Sequence, residues 1–265
     1  MAHGRDDRLA GKVLESVMRE PIEQAKHLVQ RARRIAFFTG AGMSADSGIP
    51  TFREALTGLW ARFDPTQLAT PEAFAGNPRL VWDFYEYRRE IVRRCAPNAG
   101  HEAIAALEKE GQRQVTVITQ NVDGYHQQAG SREVLCLHGN IMETRCHRGC
   151  AGVFPATVAS EPHEAGPPVC ATCGERTLRP NVVWFGEMLD EALMERARQA
   201  AEQCDVFIVI GTSGVVYPAA GLADVALGLG KRFIEINPEP SQWSREADVF
   251  LRGRAAEVVP RILSI

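Results

Sequence analysis

Apolar residues in this chain gather into short runs, each ended abruptly by a small or polar cluster. Five runs stand out, at residues 35–39 (Ile-Ala-Phe-Phe-Thr), 115–119, 134–137, 206–210 and 233–236. They are rich in Val, Ile and Phe and largely lack apolar–polar alternation, the pattern of strands covered on both faces. Stretches with helical spacing lie between and before them: residues 15–34 (Val17, Ile22, Ala25, Leu28, Val29), 101–109 and 191–203. Alternating strands and helices predict an α/β fold, a Rossmann-like parallel sheet with helices on both faces. Ligands of such sheets collect beyond the carboxyl ends of the strands. Those ends carry Gly40-Ala41-Gly42, Gln120-Asn121-Val122-Asp123, His138-Gly139-Asn140, Gly211-Thr212-Ser213 and Asn237-Pro238, so one shared site is expected.

Two segments break the alternation. Residues 54–96 read as a helical insertion, with Asn77-Pro78 as N-cap and first helical position of a helix through Arg94. Residues 141–179 are rich in Cys, Gly and Pro and too irregular for the main sheet. The predicted division is therefore an N-terminal helical extension (1–24), a dinucleotide-binding domain (25–53, 97–140 and 180–265), the insertion, and a small metal-binding module.

The first glycine cluster suggests the ligand. Gly40 would allow a tight turn, Gly42 would remove the Cβ between backbone and a pyrophosphate, and Ala45 would let a helix opening there pack closely on the strand. An acidic residue about 20 positions later would complete an ordinary hydride-transfer site. Here that region is the insertion, and Asp64 precedes a proline in a loop, which argues against ordinary hydride chemistry.

The formal net charge of −3 argues against nonspecific nucleic-acid binding. No apolar run approaches the roughly 20 residues of a membrane span, and the N-terminal residues lack the apolar core of a secretory signal. Seven cysteines, four of them in two close pairs, favour a metal site in a reducing compartment, the cytoplasm, over disulfides. Cys146 and Cys150 flank three residues, and Cys170 and Cys173 flank two. Four thiolates on two knuckles suit one tetrahedral structural Zn²⁺. A redox pair or four unrelated thiols are the alternatives. His147 is expected to face solvent, and Cys95, Cys136 and Cys204 to be core thiols.

Together with Ser47-Gly48-Ile49-Pro50-Thr51-Phe52-Arg53, Thr119-Gln120-Asn121-Val122-Asp123, Leu137-His138-Gly139 and Val183-Trp184-Phe185-Gly186-Glu187, the glycines and cysteines resemble the sirtuins from about Ala25 to Ile265. The resemblance implies NAD-dependent removal of acyl groups from protein lysines, with NAD consumed at its glycosidic bond. The acyl oxygen would attack the ribose carbon as nicotinamide leaves, and a neutral histidine, His138, would take a proton from a ribose hydroxyl. By the same resemblance Asp123 would meet the nicotinamide carboxamide, and Gln120 and Asn121 the ribose and nicotinamide. Gly40, Ala41, Gly42, Ser44, Gly48, Pro50, Phe52 and Arg53 would cover the pyrophosphate and adjoining ribose. Gly211, Thr212, Ser213, Asn237 and Ala255 would meet the adenosine half. An acyl-lysine protein would add as an extended strand between Val183, Phe185, Gly186 and Glu187 on one side and the loop of Val215 on the other. Two departures from the family pattern are Tyr125, in place of the commoner leucine, and the long Cys146–Cys150 spacer.

On the helix through Arg94, Tyr85 and Arg88 are three apart and share a face, while Leu80, Phe84, Tyr87 and Ile91 form a separate stripe expected to be core. A phenol beside a guanidinium is a carboxylate clamp. With Ala69 leaving room, the pair resembles the acyl pocket of class III sirtuins, which remove succinyl and malonyl groups. The expectation is a monomeric lysine desuccinylase and demalonylase with weaker deacetylase activity. A surface arginine paired with Glu86 or Glu90, a general deacetylase, an ADP-ribosyltransferase and a non-catalytic NAD sensor are the alternatives.

Overall fold

A computed structural model describes residues 20–50, 63–156 and 166–264. The chain is helical over residues 20–31 (α1) and then enters the central strand β1, Arg34–Thr39. The main sheet adds β2 (Gln114–Thr119), β3 (Val134–Cys136), β7 (Val206–Ile210), β8 (Arg232–Asn237) and β9 (Val249–Arg252). All pairings are parallel, in the order β3-β2-β1-β7-β8-β9, with Phe37 opposite Val117 on one side and Ile208 on the other. The first predicted strand therefore sits at the centre, where the strand order reverses and a doubly wound sheet opens its binding crevice.

Alternate residues of each strand serve opposite faces. Ile35, Phe37, Val117, Ile208 and Ile234 pack under α1, α4 (Ala99–Lys109) and α8 (Ala255–Leu263). Ala36, Phe38, Ile118, Val209 and Phe233 pack against α6 (Glu191–Gln203) and α7 (Gly221–Gly228), which present alanines and so approach closely. The sequence reading missed β9, whose four residues form an edge strand too short for a period to register.

A second, antiparallel sheet lies in the segment read as irregular. It orders β5 (Phe154–Pro155), β4 (Gly139–Cys146) and β6 (Leu178–Val182). The insertion contributes α2 (Pro71–Gly76) and α3 (Pro78–Arg94), capped by the Thr70 and Asn77 side chains. The expected stripe on α3 needs correction. Val81, Trp82, Phe84, Tyr85, Arg89 and Val92 are buried, whereas Tyr87 is 38% exposed and Leu80 and Ile91 are half-buried. The reason is Arg89, which donates to the carbonyls of Ile141 (2.6 Å) and Glu143 (2.7 Å), to Thr144 Oγ1 (3.0 Å) and to Glu86 (2.6 Å). This arginine, with four of its five N–H donors paired, staples the insertion to β4 and rolls the helix toward its own side.

Candidate active site

The loops leaving β1 and β7 meet backbone to backbone. Gly42 N–H donates to Gly211 O at 2.8 Å, and Gly40 N–H to Ile210 O at 3.0 Å. A Cβ on Gly42 would lie 2.6 Å from Gly211 Cα, and one on Gly40 2.7 Å from Thr212 Cβ. Gly40 itself is extended (φ −120°, ψ −167°), so closeness to the neighbouring loop, not a tight turn, is what demands glycine there. The expected α-helix is also replaced. Two 3-10 turns, Ala41–Met43 and Ala45–Ser47, follow instead and close at Gly48 (φ 87°). Ser44 breaks the helix by turning its hydroxyl inward to Asp123 Oδ2 (2.7 Å), and Ala45 is exposed, with no packing role.

The loop after β2 closes the crevice floor. Asn121 Nδ2 donates to Gly40 O (2.9 Å) and Ser44 Oγ (3.1 Å), and Gln120 Nε2 to Thr212 Oγ1 (3.3 Å). Asp123 is buried; burial pushes its carboxyl up, against the opposing hydrogen bonds from Ser44 and Tyr125 N–H and the charge of Arg88. Asn237 Nδ2 donates to Thr212 O (2.9 Å) at the ends of β7 and β8, and the neighbouring Ser213 is exposed. Pro50 is half-buried at the end of the glycine loop. Ala255 is buried at the start of α8, where Ala256 N–H and Arg254 are taken by Asp46, so its methyl belongs to the core and not to a ligand surface. Phe52 and Arg53 lie outside the described residues.

His138 follows β3 at the ligand end of the sheet. Its Nδ1 is 3.0 Å from the Gln120 carbonyl, an acceptor only, so Nδ1 carries the proton and Nε2 keeps its lone pair. Burial pulls its pKa below the ordinary histidine value, with the Gln120 carbonyl opposing. His101 and His126 are core residues: their ring centres lie 4.8 Å apart, tilted at 60°, and both are neutral, with pKa values lowered by burial to about 4 and about 3. Tyr125 is buried, donating its hydroxyl to Val92 O at the end of α3 (2.9 Å).

Tyr85 and Arg88 do share a face, and it points inward. Tyr85 is 1% exposed, and its hydroxyl accepts a 2.9 Å hydrogen bond from Trp184 Nε1. The half-buried Arg88 guanidinium lies 5.7 Å from the Tyr85 ring centre and 5.9 Å from that of Phe84. Burial lowers its pKa, and the nearby Tyr85 phenol and Asp123 carboxylate oppose the shift. Ala69 is buried beside them and its carbonyl accepts from Phe185 N–H (3.0 Å).

Phe185 (55% exposed) and Val215 (67% exposed) leave apolar side chains facing solvent on the two loops expected to hold a peptide. Val183 is half-buried and Gly186 exposed at φ 86°. The Glu187 carboxylate turns inward to Arg179 (2.6 and 2.9 Å), Arg145 (3.2 and 3.3 Å) and Trp184 N–H (2.8 Å), which leaves its backbone for any peptide contact. Arg179, a buried residue that no pattern in the sequence signalled, also lies on the Trp184 ring at 3.2 Å.

The sulfurs of Cys146, Cys150, Cys170 and Cys173 all lie within 4.8 Å of one another. Tetrahedral Zn–S bonds of about 2.3 Å require sulfurs about 3.8 Å apart, and the spacings of 3.2, 3.6 and 4.0 Å fall around that value. The donor set fits one structural zinc, with four thiolates leaving no open position. His147 is not a ligand and does not face solvent; it packs on Phe74 (5.0 Å) and Trp184 (6.3 Å). Cys204 is a core thiol, while Cys95 and Cys136 are only half-buried.

Comparison with known proteins agrees with this site. Residues 40–218 match the model of the Sir2 family. An NAD-dependent protein deacylase of Ralstonia nicotianae is 49% identical over 241 residues, 91% of this chain and 95% of that protein. NAD-dependent protein deacylase 2 of Pyrobaculum aerophilum is 50% identical over 236 residues, 89% and 92% of the two chains. Among solved structures, a Sir2 homologue in complex with NAD superposes with a TM-score of 0.83 at 44% identity, covering 91% of this chain and 92% of that one. A Sir2 protein bound to a myristoylated histone peptide gives 0.74 at 35% identity, covering 93% and 96%. With the family's motifs gathered at one crevice and its matches spanning nearly the whole chain, this protein belongs to the Sir2 family and is an NAD-dependent protein deacylase.

Proposed function

We propose that this deacylase acts on lysines carrying acidic acyl groups, succinyl and malonyl, and more weakly on acetyl-lysine. The observation that carries the reading is the inward-facing Tyr85–Arg88 pair beside Asp123. Removing a carboxylate from water is favourable only where donors replace its hydration, and a guanidinium with a phenol does so. A neutral acetyl group has no use for the pair, which lies against Trp184 and Ala69 where the acyl end of a lysine would arrive.

Bound NAD supplies the electrophilic ribose carbon and nicotinamide as its leaving group. His138 acts as the base. Its Nδ1–H is anchored to Gln120 O and its Nε2 is free to accept a proton from a ribose hydroxyl, while its lowered pKa keeps the ring unprotonated at neutral pH. Asp123, held by Ser44 and the Tyr125 amide, orients the nicotinamide carboxamide, and Gln120 and Asn121 the adjoining ribose. The glycine loop, with Ser44, Gly48 and Pro50, covers the pyrophosphate, and Thr212, Ser213 and Asn237 meet the adenosine half. The acyl-lysine segment adds as a strand between the backbones of Val183 and Gly186 and the Val215 loop.

Nicotinamide release measured with matched succinyl- and acetyl-lysine peptides tests the reading. Arg88→Met should lower kcat/KM for the succinyl peptide about 10- to 100-fold, the loss of a charge-assisted hydrogen-bonded pair of roughly 1.5–3 kcal/mol. Equal losses on both peptides would remove the carboxylate from the argument.

A further inference from the structure

The Tyr85 hydroxyl has a defined polarity. An indole N–H can only donate, so in the 2.9 Å contact with Trp184 Nε1 the phenol oxygen is the acceptor. Its own proton must then point away from Trp184, and among the described residues no hydrogen bond from Tyr85 Oη to a protein acceptor is present. A buried donor with no protein acceptor is ready for an acceptor brought by a ligand. Arg88, hydrogen-bonded to the same phenol, adds donors and no acceptor.

Trp184 in turn is fixed from the small module. Arg179 of β6 lies over its ring, Glu187 accepts its backbone N–H while binding Arg179 at two points, and His147, between the zinc cysteines, packs on its edge. Phe74 of α2 completes the surround. The indole is therefore held in one orientation by Arg179, Glu187, His147 and Phe74.

We propose that Trp184 is a positioning residue for acyl selectivity: its N–H occupies the acceptor side of the Tyr85 hydroxyl and aims the phenol proton at the carboxylate of the acyl group. This rests on the succinyl and malonyl reading above and names how the module next to the zinc contributes to it.

The readout is the ratio of kcat/KM for succinyl- over acetyl-lysine peptide in the full-length enzyme. Trp184→Phe keeps an aromatic ring for Arg179 and removes the N–H; it should lower the ratio about tenfold, through KM for the succinyl peptide. Tyr85→Phe should lower it comparably, and adding Trp184→Phe to Tyr85→Phe should change it no further. Benzothienylalanine at position 184, which keeps the bicyclic shape without the N–H, separates the hydrogen bond from packing and should behave as Trp184→Phe does. An unaltered ratio in the benzothienylalanine enzyme, or equal losses on both peptides, overturns the inference. If Arg88→Met also leaves the ratio intact, the carboxylate-clamp reading itself has failed. If Arg88→Met collapses the ratio while the position-184 variants do not, only the role of Trp184 is lost.

Discussion

Gly42 and Gly211 offer a test of the crevice itself, because each occupies space that the other's side chain would need. A methyl at Gly42 meets Gly211 Cα at 2.6 Å and Gly211 O at 3.0 Å. Normal carbon–carbon contact is about 3.5–4.0 Å, so the two loops must part by roughly an ångström, at the cost of the Gly42 N–H to Gly211 O bond. Overpacking of this kind costs about 1–3 kcal/mol. Gly211→Ala meets Gly42 C and Met43 N at 2.5 Å and also forces alanine to φ 61°, which adds about 1 kcal/mol. The expected order is therefore Gly211→Ala worse than Gly42→Ala. At 2–4 °C per kcal/mol for a chain near this size, a loss of about 2 kcal/mol lowers Tm by about 4–8 °C. The double variant should cost less than the sum, since loops already parted by one methyl admit the second more easily. Thermal unfolding of the three proteins with and without NAD measures this. Additive losses, or a Gly42→Ala loss under about 0.5 kcal/mol, would refute the backbone-to-backbone account.

The His138 pKa, lowered by burial, places the acidic limb of kcat/KM below the ordinary histidine value of about 6.5. A limb above pH 7 would point to another base, as would a His138→Tyr enzyme that retained most of its activity. His101 and His126 are neutral in the fold, with pKa values of about 4 and about 3, and protonate near 6.5 when unfolded. The unfolded state thus binds more protons below pH 6.5, and stability falls as pH drops toward 4. The slope approaches about 1.4 kcal/mol per pH unit for each histidine. Acid unfolding of His126→Asn should show a shallower slope, and one matching the parent would contradict this origin. Metal analysis should find one zinc per chain, and Cys170→Ser should lose it together with thermal stability; a fully stable, zinc-free Cys170→Ser protein would show that the cluster carries no structural load.

Most of the sheet was legible because its strands are buried on both faces, and continuous burial writes itself as uninterrupted Val, Ile and Phe. The small sheet was not legible for the opposite reason. β4 reads Gly-Asn-Ile-Met-Glu-Thr-Arg-Cys, and its polar groups are satisfied by tertiary partners such as Arg89 and Asn181 that lie far away in sequence. The glycine loop was placed correctly but for an incomplete reason, since a turn motif says nothing of a second loop crossing it. The spacing of Tyr85 and Arg88 announced a shared face; only tertiary packing decides that the face looks inward. Arg179 gave no signal, and the inward carboxylate of Glu187 was not foreseen, because an inward ion pair and a solvated charge are identical in sequence.

In the proposed mechanism the two substrates are brought into register by a single backbone contact. β4 and β6 pair Gly139 with Val182, and one step beyond the ladder Val183 N–H donates to His138 O at 2.9 Å. His138, the proposed base, and the edge on which the acyl-lysine strand would lie are thus adjacent rungs of the same antiparallel pair. Gly139 makes this possible, with φ 81° and a position where a Cβ would come within 2.1 Å of Asn181 O. On its other side His138 is tied through Nδ1 to the loop after β2, which also carries Asn121 and Asp123. His138 is therefore tied to both sheets at once, and under the proposed function the parallel sheet would fix it relative to NAD and the antiparallel sheet would fix the lysine relative to it. Coupling of this kind would hold the proposed nucleophile, electrophile and base in fixed relation, and the four-cysteine cluster sits at the far end of the two strands that would carry the peptide edge.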